Sequence, residues 1–184
     1  MKLAGYRLRQ RDGYSCGPTV AVVAVVLLDG RYRARLDDGP DWFAAEQGVV
    51  HRQANRLWPR RLGMTPAGLA AVLNTRSSVR YRWRMHRGLL PGRQDPATDV
   101  VAAVRAGHPV AMLLGHVIPR HWVLIVTADG NRLRCFDPAS GQLRATTVGA
   151  IQEAHVEGLG FGRPFALVLP ARAGTRCAPQ NVKL

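Results

Sequence analysis

Cysteine and long apolar runs are both scarce in this sequence. Its 184 residues include three cysteines, Cys16, Cys135 and Cys177, an odd number without the spacing of a zinc site. The longest apolar run, residues 20–28, is less than half of what spans a bilayer as a helix. No apolar stretch of signal-peptide length precedes the first charges. The sequence therefore excludes a disulfide miniprotein and a membrane anchor. We expect a reduced, cytoplasmic protein with no metal or cofactor.

Acidic residues and lysines are also few. The chain has 26 Lys+Arg against 12 Asp+Glu, a net charge of +14, and only Lys2 and Lys183 are lysines. The excess is greatest over residues 31–93 and favours an anionic partner. GC-rich codon usage would produce the same arginine bias, and no zinc-finger, helix-turn-helix or RNA-binding aromatic motif is present. We therefore do not expect specific nucleic-acid binding, and an acidic substrate is the preferred anionic partner.

Length and composition predict one domain. Hydrophobic residues make up 47% of the chain and charged residues 21%, which is typical of soluble globular proteins. Periodicity is lost near the C-terminus. The prediction is therefore a single domain over residues 1–170 and a polar tail over residues 171–184.

Most patterns in the first half are helical. After Cys16, Pro18 suits a first helical position and Gly30 a helix stop. The valines between residues 20 and 26 would equally suit a buried strand, and we favour the helix. Three further helices are predicted, at residues 42–51, 65–74 with Thr65 as N-cap, and 96–106.

Alternating and short apolar runs predict strands. Residues 79–86 alternate between apolar and basic side chains, which predicts a half-buried strand with an arginine-rich outer face. Turn residues separate five later runs, at 109–114, 121–128, 132–136, 143–148 and 164–169, with a minor helix near 150–156. The sequence therefore predicts an α+β fold with a helical N-terminal half and a C-terminal antiparallel sheet.

Cys16 is the candidate nucleophile. It lies at the start of the first predicted helix, where the helix dipole and free backbone N–H groups favour the thiolate. A small buried hydrophobe is the alternative for any free cysteine. That alternative suits Cys135, inside a predicted strand, better than Cys16.

His121 and Asp137 are the candidate partners of Cys16. Of six histidines, His121 opens a run that is apolar on both faces, so its ring is fixed at the end of a central strand. Asp137 ends the next strand, and a hairpin between the two strands brings both residues together. In an antiparallel pair, the residue numbers of opposed positions have a constant sum, which we call the register sum. The side chains of His121 and Asp137 share one face of the sheet only if this sum is even. A three-residue loop, 129–131, would give the sum 260.

These residues carry a family resemblance. Gln10 precedes Cys16 by six positions, Cys16-Gly17-Pro18-Thr19 follows, and His121-Trp122-Val123 and Phe136-Asp137-Pro138 come far downstream. The pattern resembles the papain-like cysteine peptidases, closest to their bacteriocin-processing (double-glycine leader) branch in a stand-alone form. The resemblance implies a papain-like fold, Cys16 as nucleophile, His121 as base, Asp137 as the residue that orients His121, and Gln10 as oxyanion donor.

Three functions are open at this point. The leading hypothesis is a hydrolase that cleaves a peptide or amide bond through a thioester on Cys16, for instance in a peptide precursor. An acyltransferase or amide-forming enzyme would use the same Cys-His-Asp site. A non-catalytic module with a basic binding face is the third, although such a module would need none of the four site residues.

Overall fold

A computed structural model describes residues 5–55, 59–86 and 96–171. The helices of this part of the chain are α1 (Cys16–Leu28), α2 (Gly30–Ala34), α3 (Pro40–Ala54), α4 (Pro66–Arg76), α5 (Pro96–Arg105) and α6 (Val148–Gln152). The strands are β1 (Tyr81–Met85), β2 (Val110–Gly115), β3 (Pro119–Asp129), β4 (Arg132–Asp137), β5 (Gln142–Thr147) and β6 (Arg163–Pro170). The predicted α+β class is confirmed.

The six strands form one antiparallel sheet in the order β1-β6-β2-β3-β4-β5. Strand β3 lies near the centre, between β2 and β4, which explains why residues 121–125 are buried. Each face of the sheet has its own apolar core. Helices α1, α3 and α4 contribute to the core on one face, and α5 and α6 contribute to the core on the other.

Helix α1 is the most buried helix. Residues 16–26 are all buried, and the helix packs against α3, α4 and β3. An apolar surface on all sides of a helix is typical of a core position, so the helix prediction for the valine run is confirmed. The helix begins at Cys16, so Pro18 is its third residue rather than its first. It ends at Leu28, just before the predicted stop at Gly30, which is the first residue of α2. Asp29 then caps α2 by accepting from the N–H groups of Arg31 and Tyr32.

The remaining predicted helices are present with small shifts. Thr65 caps α4 as predicted, since its hydroxyl accepts from the Gly68 N–H at 3.0 Å. Helix α3 is longer than predicted, and α5 ends before Gly107, whose φ is +81°. The short helix α6 begins two residues before its predicted start and ends four residues before its predicted end.

Strand β1 departs from its predicted burial. It is the edge strand of the sheet, and only Tyr81 is buried, whereas Trp83 and Met85 are about half exposed, at 46% and 53%. The alternating pattern identified the strand correctly. Its position at the edge leaves the outer part of its apolar face uncovered.

No helix in residues 5–55, 59–86 and 96–171 is long and apolar enough to cross a membrane. The predicted tail, apart from Ala171, and Cys177 lie outside the described residues.

Candidate active site

Cys16 is the first residue of α1. Its N-cap residue, Ser15, is buried but does not bond to the first-turn N–H groups. The Ser15 hydroxyl pairs with Asp12 instead, accepting from the Asp12 N–H and donating to the Asp12 carbonyl, both at 3.1 Å. No acidic residue occupies the first turn. The positive end of a buried helix therefore faces the thiol, which favours a negative charge there.

His121 and Asp137 are hydrogen bonded to each other. The distance from His121 Nε2 to Asp137 Oδ1 is 2.9 Å, and both residues are more than 90% buried. Since Asp137 holds Nε2, Nδ1 is the ring nitrogen left for Cys16, whose side chain lies close enough to His121 to raise the pKa of the ring. The structure thus brings these three sequence-predicted residues together, with a hydrogen bond between His121 and Asp137.

The opposite charges of His121 and Asp137 stabilise each other. Burial alone lowers the pKa of His121, but the hydrogen bond to Asp137 and the nearby Cys16 side chain outweigh burial and raise the pKa to about 9. His121 is therefore positively charged at neutral pH. Burial alone raises the pKa of Asp137, but hydrogen bonds from His121, Ser140 and the Ala139 N–H hold that pKa well below its usual range.

Asp137 is fixed by groups on both of its oxygens. Oδ1 accepts from the Ala139 N–H at 3.0 Å, and Oδ2 accepts from the Ser140 hydroxyl at 2.8 Å and forms an ion pair with Arg144 Nε at 3.1 Å. The carboxylate therefore has few ways to turn away from His121. Sequence reasoning treated Ser140 only as a turn residue and did not consider Arg144, which lies across the hairpin on β5.

The β3–β4 hairpin places Asp137 and His121 on one face of the sheet by a different geometry from the one predicted. The hairpin loop has two residues, 130–131, because Asp129 pairs with Arg132, and the register sum there is 261. A β-bulge at Val126 then shifts the sum to 260, as in the pair Leu124–Phe136. The predicted three-residue loop is wrong. The predicted even register near the site is correct, and the bulge provides it.

Gln10 is held beside the turn that follows Asp137. Its backbone N–H donates to the Pro138 carbonyl at 2.9 Å, and its side-chain Nε2 donates to the Asp12 carbonyl at 2.9 Å. Its Oε1 is buried and has no hydrogen-bond partner among the described residues. The structure thus places Gln10 in the loop that leads to Cys16. An amide nitrogen has two hydrogens, so one N–H of Gln10 is left for another acceptor.

Sequence reasoning missed Gln47, which anchors this loop from α3. The buried Gln47 amide donates to the Arg9 carbonyl and accepts from the Arg11 N–H and the Thr19 hydroxyl, at 2.9–3.0 Å. A signal was present in the sequence. Gln47 lies four residues after Phe43 and three before Val50, both buried, so it is a polar residue within the apolar stripe of a helix.

A pocket of about 240 Å³ opens beside Cys16. The loop before α4 forms one wall, and Leu113, Arg120 and Trp122 belong to the other. The Trp122 indole N–H donates to the Met64 carbonyl at 2.9 Å, which fixes the loop to β3. Besides Cys16, the lining residues are Leu62, Gly63, Met64, Thr65, Pro66, Leu113, Pro119, Arg120 and Trp122.

Phe161 covers the His121 ring. The two rings stack with centroids 5.0 Å apart and an angle of 17° between their planes. Phe161 lies in the loop before β6, and no pattern in the sequence connects it with His121. The stack limits rotation of the imidazole and shields one of its faces from water.

The other cysteine of the described residues, Cys135, lies in a strand rather than at a helix N-terminus. Cys135 lies within β4, is fully buried, and burial raises its pKa to about 12. It matches the predicted structural cysteine. Among the described residues, no cluster of three or more His, Cys, Asp or Glu side chains could hold a metal ion.

Comparisons with known protein families and with curated proteins found no match. Two solved structures are similar in fold. One is the peptidase domain of Streptococcus ComA, a bifunctional ABC transporter involved in quorum sensing (TM-score 0.50, 13% identity, covering 89% of this chain and 97% of that one). The other is a double-glycine-motif protease from an AMS/PCAT transporter, solved with its leader peptide (TM-score 0.50, 12% identity, covering 90% and 91%). The chain therefore has a papain-like fold.

Proposed function

We propose that this protein is a cysteine peptidase that cleaves a peptide or amide bond through a thioester on Cys16. One observation carries the proposal. Cys16 lies at the N-terminus of a buried helix, on a pocket and close to His121, which is hydrogen bonded to Asp137. Nucleophile, base and orienting group are the three parts that this chemistry needs.

In the proposed reaction, the thiol proton of Cys16 already rests on His121, and the Cys16 thiolate attacks the substrate carbonyl carbon. The Cys16 backbone N–H and the free N–H of Gln10 stabilise the resulting oxyanion. The tetrahedral intermediate collapses to a thioester, and His121 gives its proton to the leaving amine. His121 then deprotonates a water molecule, which hydrolyses the thioester and releases the acyl product.

Asp137 acts on His121 rather than on the substrate. By holding Nε2, it keeps Nδ1 directed to Cys16 and stabilises the imidazolium that carries the thiol proton. Ser140 and Arg144 hold Asp137 in turn. Phe161 supports the same orientation by covering the ring.

The pocket beside Cys16 supports a peptide substrate. Its walls are mainly apolar, with Leu62, Met64 and Trp122 among them, and the exposed Arg120 lies at its edge. An apolar substrate side chain fits such walls, and an acidic neighbour would meet Arg120. The double-glycine protease of similar fold was solved with a leader peptide, so a peptide precursor is the substrate class we propose.

The test is cleavage of a peptide library together with mass spectrometry of the intact enzyme. We expect wild-type protein to cleave some members and to carry the acyl group on Cys16, whereas Cys16→Ala does neither. Cys135→Ala is the matched control and should keep the activity if it folds, because Cys135 packs in the other apolar core from Cys16. Cleavage by Cys16→Ala at the wild-type rate would overturn the proposal. Transfer of the trapped acyl group to an added amine, with no hydrolysis, would identify an acyltransferase instead.

A further inference from the structure

A second pocket, of about 180 Å³, lies next to the candidate active site and contains no active-site residue. It is formed by the loop before Cys16, the C-terminal half of α3 and the turn at residues 60–63. That turn also lines the Cys16 pocket, so the two pockets are neighbours. The second pocket is lined by Arg11, Gly48, His51, Arg52, Asn55 and Arg60.

His51 is the most unusual residue of this pocket. It is 97% buried, since its exposed fraction is 3%, and neither of its ring nitrogens has a hydrogen-bond partner among the described residues. The nearby Gly63 carbonyl instead accepts from the Asn55 amide at 2.6 Å, while the buried Asn55 Oδ1 is also unpaired. Buried polar atoms nearly always have a partner. The arrangement of the unpaired His51 nitrogens and Asn55 Oδ1 around a pocket therefore indicates a ligand with both donor and acceptor atoms.

The charges around the pocket are mainly positive. Arg11, Arg52 and Arg60 contribute three guanidinium groups, and Asp12 is the carboxylate beside them. Asp12 pairs with Arg60 at 2.6 Å and with Arg11 at 3.4 Å. Arg52 has no ion pair within the described residues. Three guanidinium groups against one carboxylate leave the pocket with an excess of positive charge and of N–H donors.

Gly48 allows one of these guanidinium groups to lie against α3. A Cβ atom at position 48 would be only 2.4 Å from Nη1 of Arg11. The Arg11 side chain also donates from Nη1 to the Ala44 carbonyl at 3.4 Å. Because position 48 has no side chain, Arg11 has room to lie against α3 and form a wall of the pocket.

We propose that this pocket binds inorganic phosphate. Arginine N–H groups match phosphate oxygens in geometry and charge. Inorganic phosphate keeps a hydroxyl group at neutral pH, so it can also donate to the unpaired acceptor nitrogen of His51 or to Asn55 Oδ1. The volume holds this five-atom anion together with bridging waters, each of about 30 Å³. The ligand would join the loop before Cys16, α3 and the turn at residues 60–63.

The experiment measures phosphate binding to the full chain by calorimetry and by the shift in melting temperature, with ionic strength held constant by chloride. We expect wild-type protein to bind phosphate and to melt at a higher temperature with it. Arg52→Gln and Gly48→Ala should each weaken binding by about tenfold, the effect of losing one hydrogen bond to a charged group. Arg82→Gln, which removes the same charge from the exposed edge strand, is the matched control and should bind like wild type.

Sulfate and O-phosphoserine test the role of the ligand hydroxyl. Sulfate has none, and a phosphate monoester is mostly a dianion without one at neutral pH. We expect both to bind more weakly than phosphate. Three results would overturn the proposal: no binding of phosphate beyond the effect of chloride, equal losses in Arg52→Gln and Arg82→Gln, or equal affinity for phosphate and sulfate.

Discussion

Three groups hold the side chain of His121, each from a different direction. Asp137 bonds Nε2, the Cys16 side chain lies close enough to raise the pKa of the ring, and Phe161 stacks on its face. A histidine held in this way has one orientation and one set of hydrogen-bond roles. Such a residue can move a proton between a thiol and a leaving group without first reorganising.

Gln10 offers a test of the oxyanion part of the proposed mechanism. We expect Gln10→Ala to lower turnover by roughly 10²- to 10³-fold, because one side-chain donor to the oxyanion is lost. Alkylation of Cys16 should be nearly unchanged, since alkylation forms no oxyanion. Steady-state kinetics and timed labelling with iodoacetamide measure the two effects. Loss of turnover and labelling together would show that Gln10 supports the fold of the loop instead.

At the scale of elements, the β3–β4 hairpin shows what the sequence can and cannot predict. The run His121 to Ala128 identified β3, and residues 129–131 identified the turn. The loop length was not predicted, because Asp129 and Asn131 are both typical turn residues. The bulge at Val126 was not predicted either, since valine is an ordinary strand residue and gives no sign of an unpaired position.

Gly17 lets the start of α1 pack closely against the loop before α4, and substitution of Gly17 tests how much the site depends on this packing. In Gly17→Ala, the new Cβ would be 2.6 Å from Met64 Cβ and 3.1 Å from Trp122 Cδ1. We expect a loss of about 1–3 kcal/mol in the free energy of unfolding, typical of overpacking. Turnover should fall as well, because Met64 lines the Cys16 pocket.

Urea unfolding and steady-state kinetics check this prediction. Gly13→Ala is the matched control, since a Cβ at position 13 meets nothing within 4 Å. It should change stability and turnover little. Equal effects of the two substitutions would contradict the close packing described for Gly17.

At the scale of the whole molecule, the site joins parts of the chain that are more than 100 residues apart. Cys16 and Gln10 come from the N-terminal segment, and His121 and Asp137 come from the sheet. The order of elements and these four candidates were predictable from patterns and from the family resemblance. Contacts made by single side chains, such as that of Phe161 with His121, were not, because they depend on how loops close over the finished core.

The stability of the whole domain should depend on pH through His121. Its pKa is raised from 6.5 to about 9 in the folded protein. Protonated His121 therefore stabilises the fold fully below pH 6.5, and this contribution is lost as pH rises through about 9. Ionised Asp137 also stabilises the fold, because its pKa is lowered in the folded protein. This contribution to the free energy of unfolding is lost only in acid, as pH falls through the folded pKa.

Asp137→Asn should remove most of this pH dependence. We expect wild-type protein to be more stable than Asp137→Asn near pH 6.5, and part of that difference, on the order of 2 kcal/mol, to disappear by pH 9 to 10. Urea unfolding of both proteins over this pH range measures it. Stability curves that stay parallel across the range would contradict the assigned charge of His121.

Selective alkylation measures whether the thiol of Cys16 is activated by its surroundings. With limiting iodoacetamide near pH 7 and peptide mapping by mass spectrometry, we expect Cys16 to react well before Cys135 and Cys177, and to react more slowly in His121→Ala. The physical reasons are the α1 N-terminus and the cationic His121 beside the thiol. Equal rates at Cys16 and Cys177, or a Cys16 rate unchanged by His121→Ala, would contradict the account.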